Sequence, residues 1–495
     1  MPNIWQPKPG DKIVRPRRIK RFRLKRVLGV AAVFSAGYGN VGSSIYYALG
    51  IVALVALGAT PIALGLAGIL FIFTALTYAE GTAALPEAGG SASFARHGFN
   101  DFAGFAAGWA LMLSYIVTIS ISAFTIPPYL GFFWEPFKTS VFIGTLASIS
   151  IVFFLMVLNV VGIKETSVIN IGAAILDIAT QVSLVIIGFI LLFNPVVIWH
   201  RIIDNWPTGE NLILGIALAS IAYTGIETMS QMAEETKKPE KRVPKALLMM
   251  IVTVLVVFAG ISLVSLSAMS PQELASEWSR DPVAGIASYI PLEIIRTILK
   301  PLIAILAGTI LLIATNAGLI GISRLAFSLG SHNLVPSVIS RVHSKFKTPY
   351  ISIILFSLTA ILILIPGFFV PDVFETMGAL YVFGSLLAFM FAHASIISLR
   401  IRKPEMPRPF KLAWNIKLKG YEIPISAIIG LTATTTIWLI IMATQPYSRW
   451  VGLTWMAIGL TVYYIYRRRT NRDHERKSKN GIFELENKNR ERKVI

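Results

Sequence analysis

The feature that most limits the fold of this chain is a succession of long runs with almost no charge. A hydrocarbon layer about 30 Å thick is crossed by about 20 apolar residues in helical form. Runs of that length begin near residue 27 and recur to residue 466. They predict twelve spans, at about 27–57, 60–83, 99–130, 140–162, 168–194, 210–234, 245–269, 299–325, 349–368, 371–400, 420–443 and 449–466. The runs are continuous and do not alternate, which excludes a transmembrane β-barrel. Composition agrees: 14% of residues are charged and the mean hydropathy is +0.67. The expected class is therefore an all-α polytopic membrane protein. Its expected parts are a basic tail at 1–26, a transmembrane region at 27–466 and a second basic tail at 467–495. No cleavable signal peptide is expected, because the first 26 residues are basic and polar. The tail beyond about residue 470 reads as solvated and unstructured.

A net charge of +19 raises the question of nucleic acid, and its placement answers it. With the N-terminus inside, only Lys138, Arg201, Arg280, Arg296, Lys300 and Arg449 of the 45 basic residues lie on the outer side. The positive-inside rule then puts both termini in the cytoplasm, in the cell membrane, with the basic tails against anionic lipid headgroups and no nucleic acid partner. Ile19, Phe22, Leu24 and Val27 among those charges would form a short interfacial helix. The chain has no cysteine, which excludes disulfides and thiol chemistry. No metal spacing, nucleophile motif or phosphate-cradling loop is present, and neither an enzyme nor a cofactor is expected. His393 is the one intramembrane histidine and reads as a packing or hydrogen-bonded residue. A non-transporting sensor would need a soluble output domain, and the longest loop, at about 270–298, has room for one short helix.

Two spans are interrupted where a membrane helix should be regular. SAGYGNVGSSIYY puts Gly37, Gly39, Gly42, Ser43 and Ser44 midway along the first. SIAYTGIETMSQMAEE puts Thr224, Gly225 and Glu227 midway along the sixth. Glycine weakens a helix by roughly 1 kcal/mol relative to alanine, and could here serve only close packing. Matching interruptions five spans apart instead point to a transporter built from inverted repeats, about 27–194 and 210–400, with two further spans at about 420–466.

These blocks, with LPEAGGSASFARHGFNDFAGFAAGW and IATNAGLIGISRLAFSLGSHNLVP, resemble the amino acid–polyamine–organocation (APC) permeases. The resemblance implies a leucine-transporter-like fold with broken helices 1 and 6, and secondary transport of an amino acid or amine by alternating access. It also implies a site. The backbone of Gly39, Asn40, Val41, Gly42, Ser43 and Ser44 would receive a substrate carboxylate, and the carbonyls of Ala222, Tyr223, Thr224 and Gly225 an ammonium. Tyr47 and Tyr223 are candidate walls or gates, with packing as the alternative. Glu227 is a coupling candidate, or else a structural hydrogen-bonder. Asn316 reads as a helix-to-helix hydrogen-bonder or a cavity group. Thirteen residues after Lys164 of the GIK motif, where many proton-coupled relatives carry lysine, this chain has Asp177, with Gln181 one turn on. A carboxyl at mid-depth is expensive, so Asp177 is the leading candidate for proton coupling; the alternative is a carboxyl permanently protonated and hydrogen-bonded to Gln181 or to span 1. Spans 1 and 3 also resemble KUP-type potassium importers, which makes a potassium site the alternative function. Asn40 and Ser114 stand there in place of acids, keeping oxygen but losing charge.

Overall fold

The computed structural model describes residues 26–162, 167–346, 348–369, 373–418 and 420–491. The interfacial helix expected around Ile19, Phe22 and Leu24, and Lys164 of the GIK motif, lie outside the described residues. Among those described, ten helical stretches are long and apolar enough to cross a membrane. They are Val30–Ala84, Asp101–Leu130, Val141–Val161, Asn170–Leu191, Gly209–Gln231, Pro239–Ala268, Glu293–Ser331, Tyr350–Phe368, Val373–Arg402 and Ile425–Thr444. The protein is an all-α polytopic membrane protein.

The first stretch holds two expected spans. Its 55 residues would reach about 80 Å as one helix, far more than the hydrocarbon layer. The chain breaks at Leu57, where φ is +44°, and a new helix, Thr60–Ala84, starts with proline in its first turn. The run at 449–466 carries Arg449, two tryptophans and three tyrosines, and is not among the ten. It lies within the helix Pro446–Glu491, which runs on where the sequence predicts an unstructured tail. The Lys, Arg and Glu that keep that segment soluble are also good helix formers. Between the seventh and eighth spans the loop holds two short helices, Pro271–Ser276 and Pro282–Ser288, where one was expected. Each begins with proline, and Ser270 and Glu273 form a capping box at the first.

Span 3, Asp101–Leu130, is the central pillar: its most apolar window is wholly buried by protein. Span 8, Glu293–Ser331, and span 10, Val373–Arg402, pack along it. Spans 4 and 5 lie at the rim, where Phe153, Phe154 and Ile190 are exposed as lipid-facing residues.

A two-stranded antiparallel hairpin, Asn415–Leu418 with Tyr421–Pro424, follows span 10 and was not legible from sequence. It packs over a buried ion pair at the end expected to face the cytoplasm. Arg400 donates Nε and Nη2 to the two oxygens of Glu80, both at 2.6 Å, and the two residues are 3% and 1% exposed. The Leu412 amide adds a third bond to Glu80 at 2.7 Å, and Glu422 of the hairpin lies 3.6 Å from Arg400. Nearby, hydrogen bonding to His97 and the charge of Arg96 hold the Glu87 carboxyl down at about 2. Removing one partner of a buried pair leaves an uncompensated charge, at a cost of about 3–5 kcal/mol. Glu80→Gln and Arg400→Met should each lower the melting temperature of the purified protein, and the double variant should recover most of the loss. An unchanged melt in either single variant would show that the pair contributes nothing to stability.

Candidate substrate and coupling site

The two interrupted spans meet at the centre of the bundle, but they are interrupted differently. In span 6 the helix Gly209–Ala219 tightens into a 3-10 turn, Ser220–Tyr223, and then opens. Thr224 is extended (φ −81°, ψ 158°) and Gly225 takes φ +105°, a conformation that side chains other than hydrogen rarely adopt. The helix restarts at Glu227–Gln231. Span 1 is not unwound: Gly42–Ser44 form one 3-10 turn whose residues stay right-handed. The Ser43 and Ser44 hydroxyls donate back to the Asn40 carbonyl at 3.0 and 3.3 Å, and the Gly42 amide bonds the Tyr38 carbonyl. The expected carboxylate cradle at Gly39–Ser44 is therefore less open than the sequence suggests, because a 3-10 turn still uses its own amides.

Asn40 joins the two spans. Its Nδ2 donates to Thr228 Oγ1 at 3.1 Å, and Gly225 lies so close that an added Cβ would stand 2.7 Å from Asn40 Cγ. Glu227 turns back on its own helix start, where Oε2 accepts the Gly225 amide at 3.1 Å. Around this junction several buried polar atoms have no hydrogen-bond partner: Asn40 Oδ1, Glu227 Oε1 and both amide atoms of Gln231. The Tyr78, Tyr115 and Tyr381 hydroxyls lie beside Ser91, Thr228 and Thr118. The three phenols come from spans 2, 3 and 10 and lie close enough to feel the Glu227 charge. As lone aromatics in apolar runs, they gave no signal in the sequence. Interiors rarely leave such groups unpaired, each at a cost of about 1–3 kcal/mol.

Asp177 lies apart from this cluster and is fully paired. Tyr46 donates to Oδ1 at 2.6 Å; Tyr38 and Gln181 donate to Oδ2 at 3.0 and 2.7 Å. Both Gln181 and span 1 hold it. The two tyrosines were missed, although their spacing of eight residues puts them two turns apart on one face. Hydrogen bonds to a charged group contribute about 1.5–3 kcal/mol each, enough for three of them to offset the cost of an acid at this depth.

Other candidates are placed elsewhere. Tyr223 packs outward, donating to the Leu64 carbonyl at 2.8 Å between Phe71 and Phe258. Tyr47 shares a 3.0 Å bond with Ser44. Ser114 pairs with Ser385 at 2.8 Å, and Asn40 presents its amide nitrogen to Thr228. Asn316 accepts from Asn159 on span 4 at 2.5 Å, a helix-to-helix bond. His393 sits between Thr77 and Thr74 at 2.9 and 3.3 Å. Both ends of span 1 are tied. Leu28 pairs with the segment after span 6, where Arg324 of span 8 holds Glu235 at 3.0 Å; at the other end Gly50 lies against Ser279 of the loop. The polar centre is occluded.

Gly225→Ala would force a side chain into both a left-handed backbone and Asn40. It should remove substrate binding while the protein remains monodisperse in detergent. Ligand binding at wild-type strength in this variant would show that the geometry of the span 6 break is not needed.

The sequence profile described as amino acid permease matches residues 28–463. The chain is 27% identical over 492 residues to the methylthioribose transporter of Bacillus subtilis (strain 168), covering 95% of this chain and 99% of that one. It is 26% identical to the branched-chain amino acid permease BcaP of the same organism, over 90% and 94% of the two chains. To the low-affinity putrescine importer PlaP of Escherichia coli (strain K12) it is 24% identical, over 89% and 93% of the two chains. These matches give no support to the potassium-importer alternative. Spread over nearly all the transmembrane region, they show that the chain belongs to the amino acid permease family of the APC superfamily of secondary transporters.

Proposed function

We propose that this permease binds an amino acid or small amine at the span 6 break and carries it inward across the cell membrane, coupled to protons. The observation that carries this reading is the cluster of unpaired polar atoms around Asn40 and Glu227. Asn40 Oδ1 and Glu227 Oε1 are acceptors suited to an ammonium, beside the tyrosine rings. The phenol O–H groups are donors suited to a carboxylate or hydroxyl. Relatives named for a thiosugar, branched-chain amino acids and a diamine leave the substrate's side chain open, and a tyrosine-lined polar centre suits each of them in part.

In this reading the chain has twelve spans in a five-plus-five arrangement and works by alternating access: spans 1, 2, 6 and 7 would rock against the rest, breaking the ties at one end of span 1 and then the other. Both termini face the cytoplasm in this reading, with the basic tails on anionic lipid. Asp177 is the coupling group, because protonation changes what it can accept from span 1, and Glu227 assists.

Two measurements test this. Purified protein is melted with leucine, putrescine, methylthioribose or potassium chloride. A ligand that binds only the folded state adds about 2.7 kcal/mol at 100 times its Kd. A shift with leucine or putrescine is the expected result; a shift with potassium alone would overturn the reading. In vesicles, Asp177→Asn should abolish accumulation driven by a pH gradient and leave counter-exchange intact. Accumulation at the wild-type level would remove Asp177 from the coupling role.

A further inference from the structure

The hydrogen bonds that hold Asp177 continue outward through span 1 and span 3 to the loop between spans 7 and 8. Tyr46 donates its hydroxyl to Asp177 Oδ1. Its own main-chain carbonyl accepts the Tyr129 hydroxyl at 2.8 Å, and the two rings meet edge to face with centroids 5.3 Å apart. The Tyr129 oxygen in turn accepts the amide of Val283, at 3.4 Å, on the short helix Pro282–Ser288. Tyr129 is buried, and this bond joins a residue of span 3 to both the broken span and the loop.

That loop has the contacts of a lid. Gly50 of span 1 lies so near it that an added Cβ would fall 1.8 Å from the Ser279 carbonyl oxygen. Lys138, beyond span 3, holds Asp281 at 2.9 Å, with its ammonium 3.7 Å over the Trp278 ring. Glu277 and Arg280 also feel the Asp281 charge. Burial pushes the Asp281 carboxyl up to about 6 against the pull of Lys138. On the inner side, the polar groups facing Asp177 are Tyr38, Tyr46 and Gln181, with Tyr129 next along.

The hydrogen-bond count at Asp177 shows which contact changes on protonation. As a carboxylate it accepts all three donors. Oδ2 already receives two and Oδ1 one, so Oδ1 is the oxygen with more room for a proton. A proton there makes Oδ1–H a donor, and Tyr46 must turn from donor to acceptor. Tyr46 is also the residue whose backbone Tyr129 pins to the lid.

We propose that Tyr129 is a positioning residue that links the lid over span 1 to the protonation state of Asp177. The inference rests on Asp177 being the coupling group. Protonation loosens Tyr46, Tyr129 passes the shift to Val283, and the lid is released from Gly50. Lid opening to the outside is thereby tied to proton binding, which makes uptake of the two ligands ordered.

The absence of native cysteine allows a direct test. Ala287 on the lid is buried, so Ala287→Cys in the full chain, reconstituted in lipid vesicles, reports opening through its rate of modification by a membrane-impermeant maleimide added outside. The rate, corrected for the thiolate fraction of a free thiol, is followed from about pH 5 to about pH 8, a range in which buried carboxyls titrate. It should rise on acidification by roughly two- to tenfold, the weight of one net hydrogen bond. Tyr129→Phe keeps the ring and loses the hydroxyl, and should flatten the profile; Asp281→Asn, which removes the lid's own titrating pair with Lys138, should leave a rise that still depends on Asp177. A wild-type profile in Tyr129→Phe overturns the inference, as does a profile abolished by Asp281→Asn and unchanged by Asp177→Asn. If the profile is flat in the parent, or survives Asp177→Asn, the coupling role of Asp177 fails and the inference fails with it. If Asp177→Asn flattens it and Tyr129→Phe does not, only the role of Tyr129 is lost.

Discussion

A backbone amide or carbonyl without a partner is far more costly in hydrocarbon than in water, and the rest of this structure depends on that constraint. It forces the spans to be helical and restricts irregular backbone to places where protein supplies partners. Span 6 opens at Thr224 and Gly225 because Glu227 reaches back to the Gly225 amide and Asn40 closes over the gap. Span 1 faces the same constraint and meets it locally, by tightening into a 3-10 turn and folding two serine hydroxyls onto the Asn40 carbonyl. One interruption is open and the other closed, so the proposed substrate site draws more on span 6 and on side chains than on the backbone of span 1.

The polar groups of the interior fall into two kinds. The Glu80 carboxylate, Asp177 with its three donors, and His393 between two threonines are satisfied by the protein itself. The atoms around the span 6 break are not. In a low-dielectric interior a satisfied network holds a shape, whereas unpaired groups are the natural partners of a ligand. This division separates the proposed substrate region from the proposed coupling region one face of span 1 away. Asn40 serves the first, while Tyr38 and Tyr46 serve the second. Any movement of span 1 is therefore felt at both.

The closures at the two ends of span 1 differ in kind. At its N-terminal end they are main-chain bonds from Val27, Leu28 and Lys237, backed by Arg324 and Glu235. At its C-terminal end they are side-chain contacts and the close seat of Ser279 on Gly50. An assembly held by main-chain pairing needs a larger rearrangement to release than one held by a few side chains, which favours release first at the C-terminal end.

Much of this protein follows from the order of its residues alone. Apolar runs of membrane length make helices whatever surrounds them, and glycine, threonine and serine at mid-run mark where those helices weaken. Asp177 and Glu227 stand out because a carboxyl in such a run has no neighbour in sequence to pay for it. Tertiary structure decided what those signals become. Whether a glycine-rich stretch unwinds or tightens depends on which side chains from other spans can receive its amides. Tyr78, Tyr115, Tyr129 and Tyr381 are ordinary aromatics in the chain, and only the packing of spans 2, 3 and 10 against span 6 and the outer loop places their hydroxyls. The hairpin at 415–424 and the Glu80–Arg400 pair, some 320 residues apart, exist for the same reason: partners that distant are brought together by the fold and leave no local pattern to read.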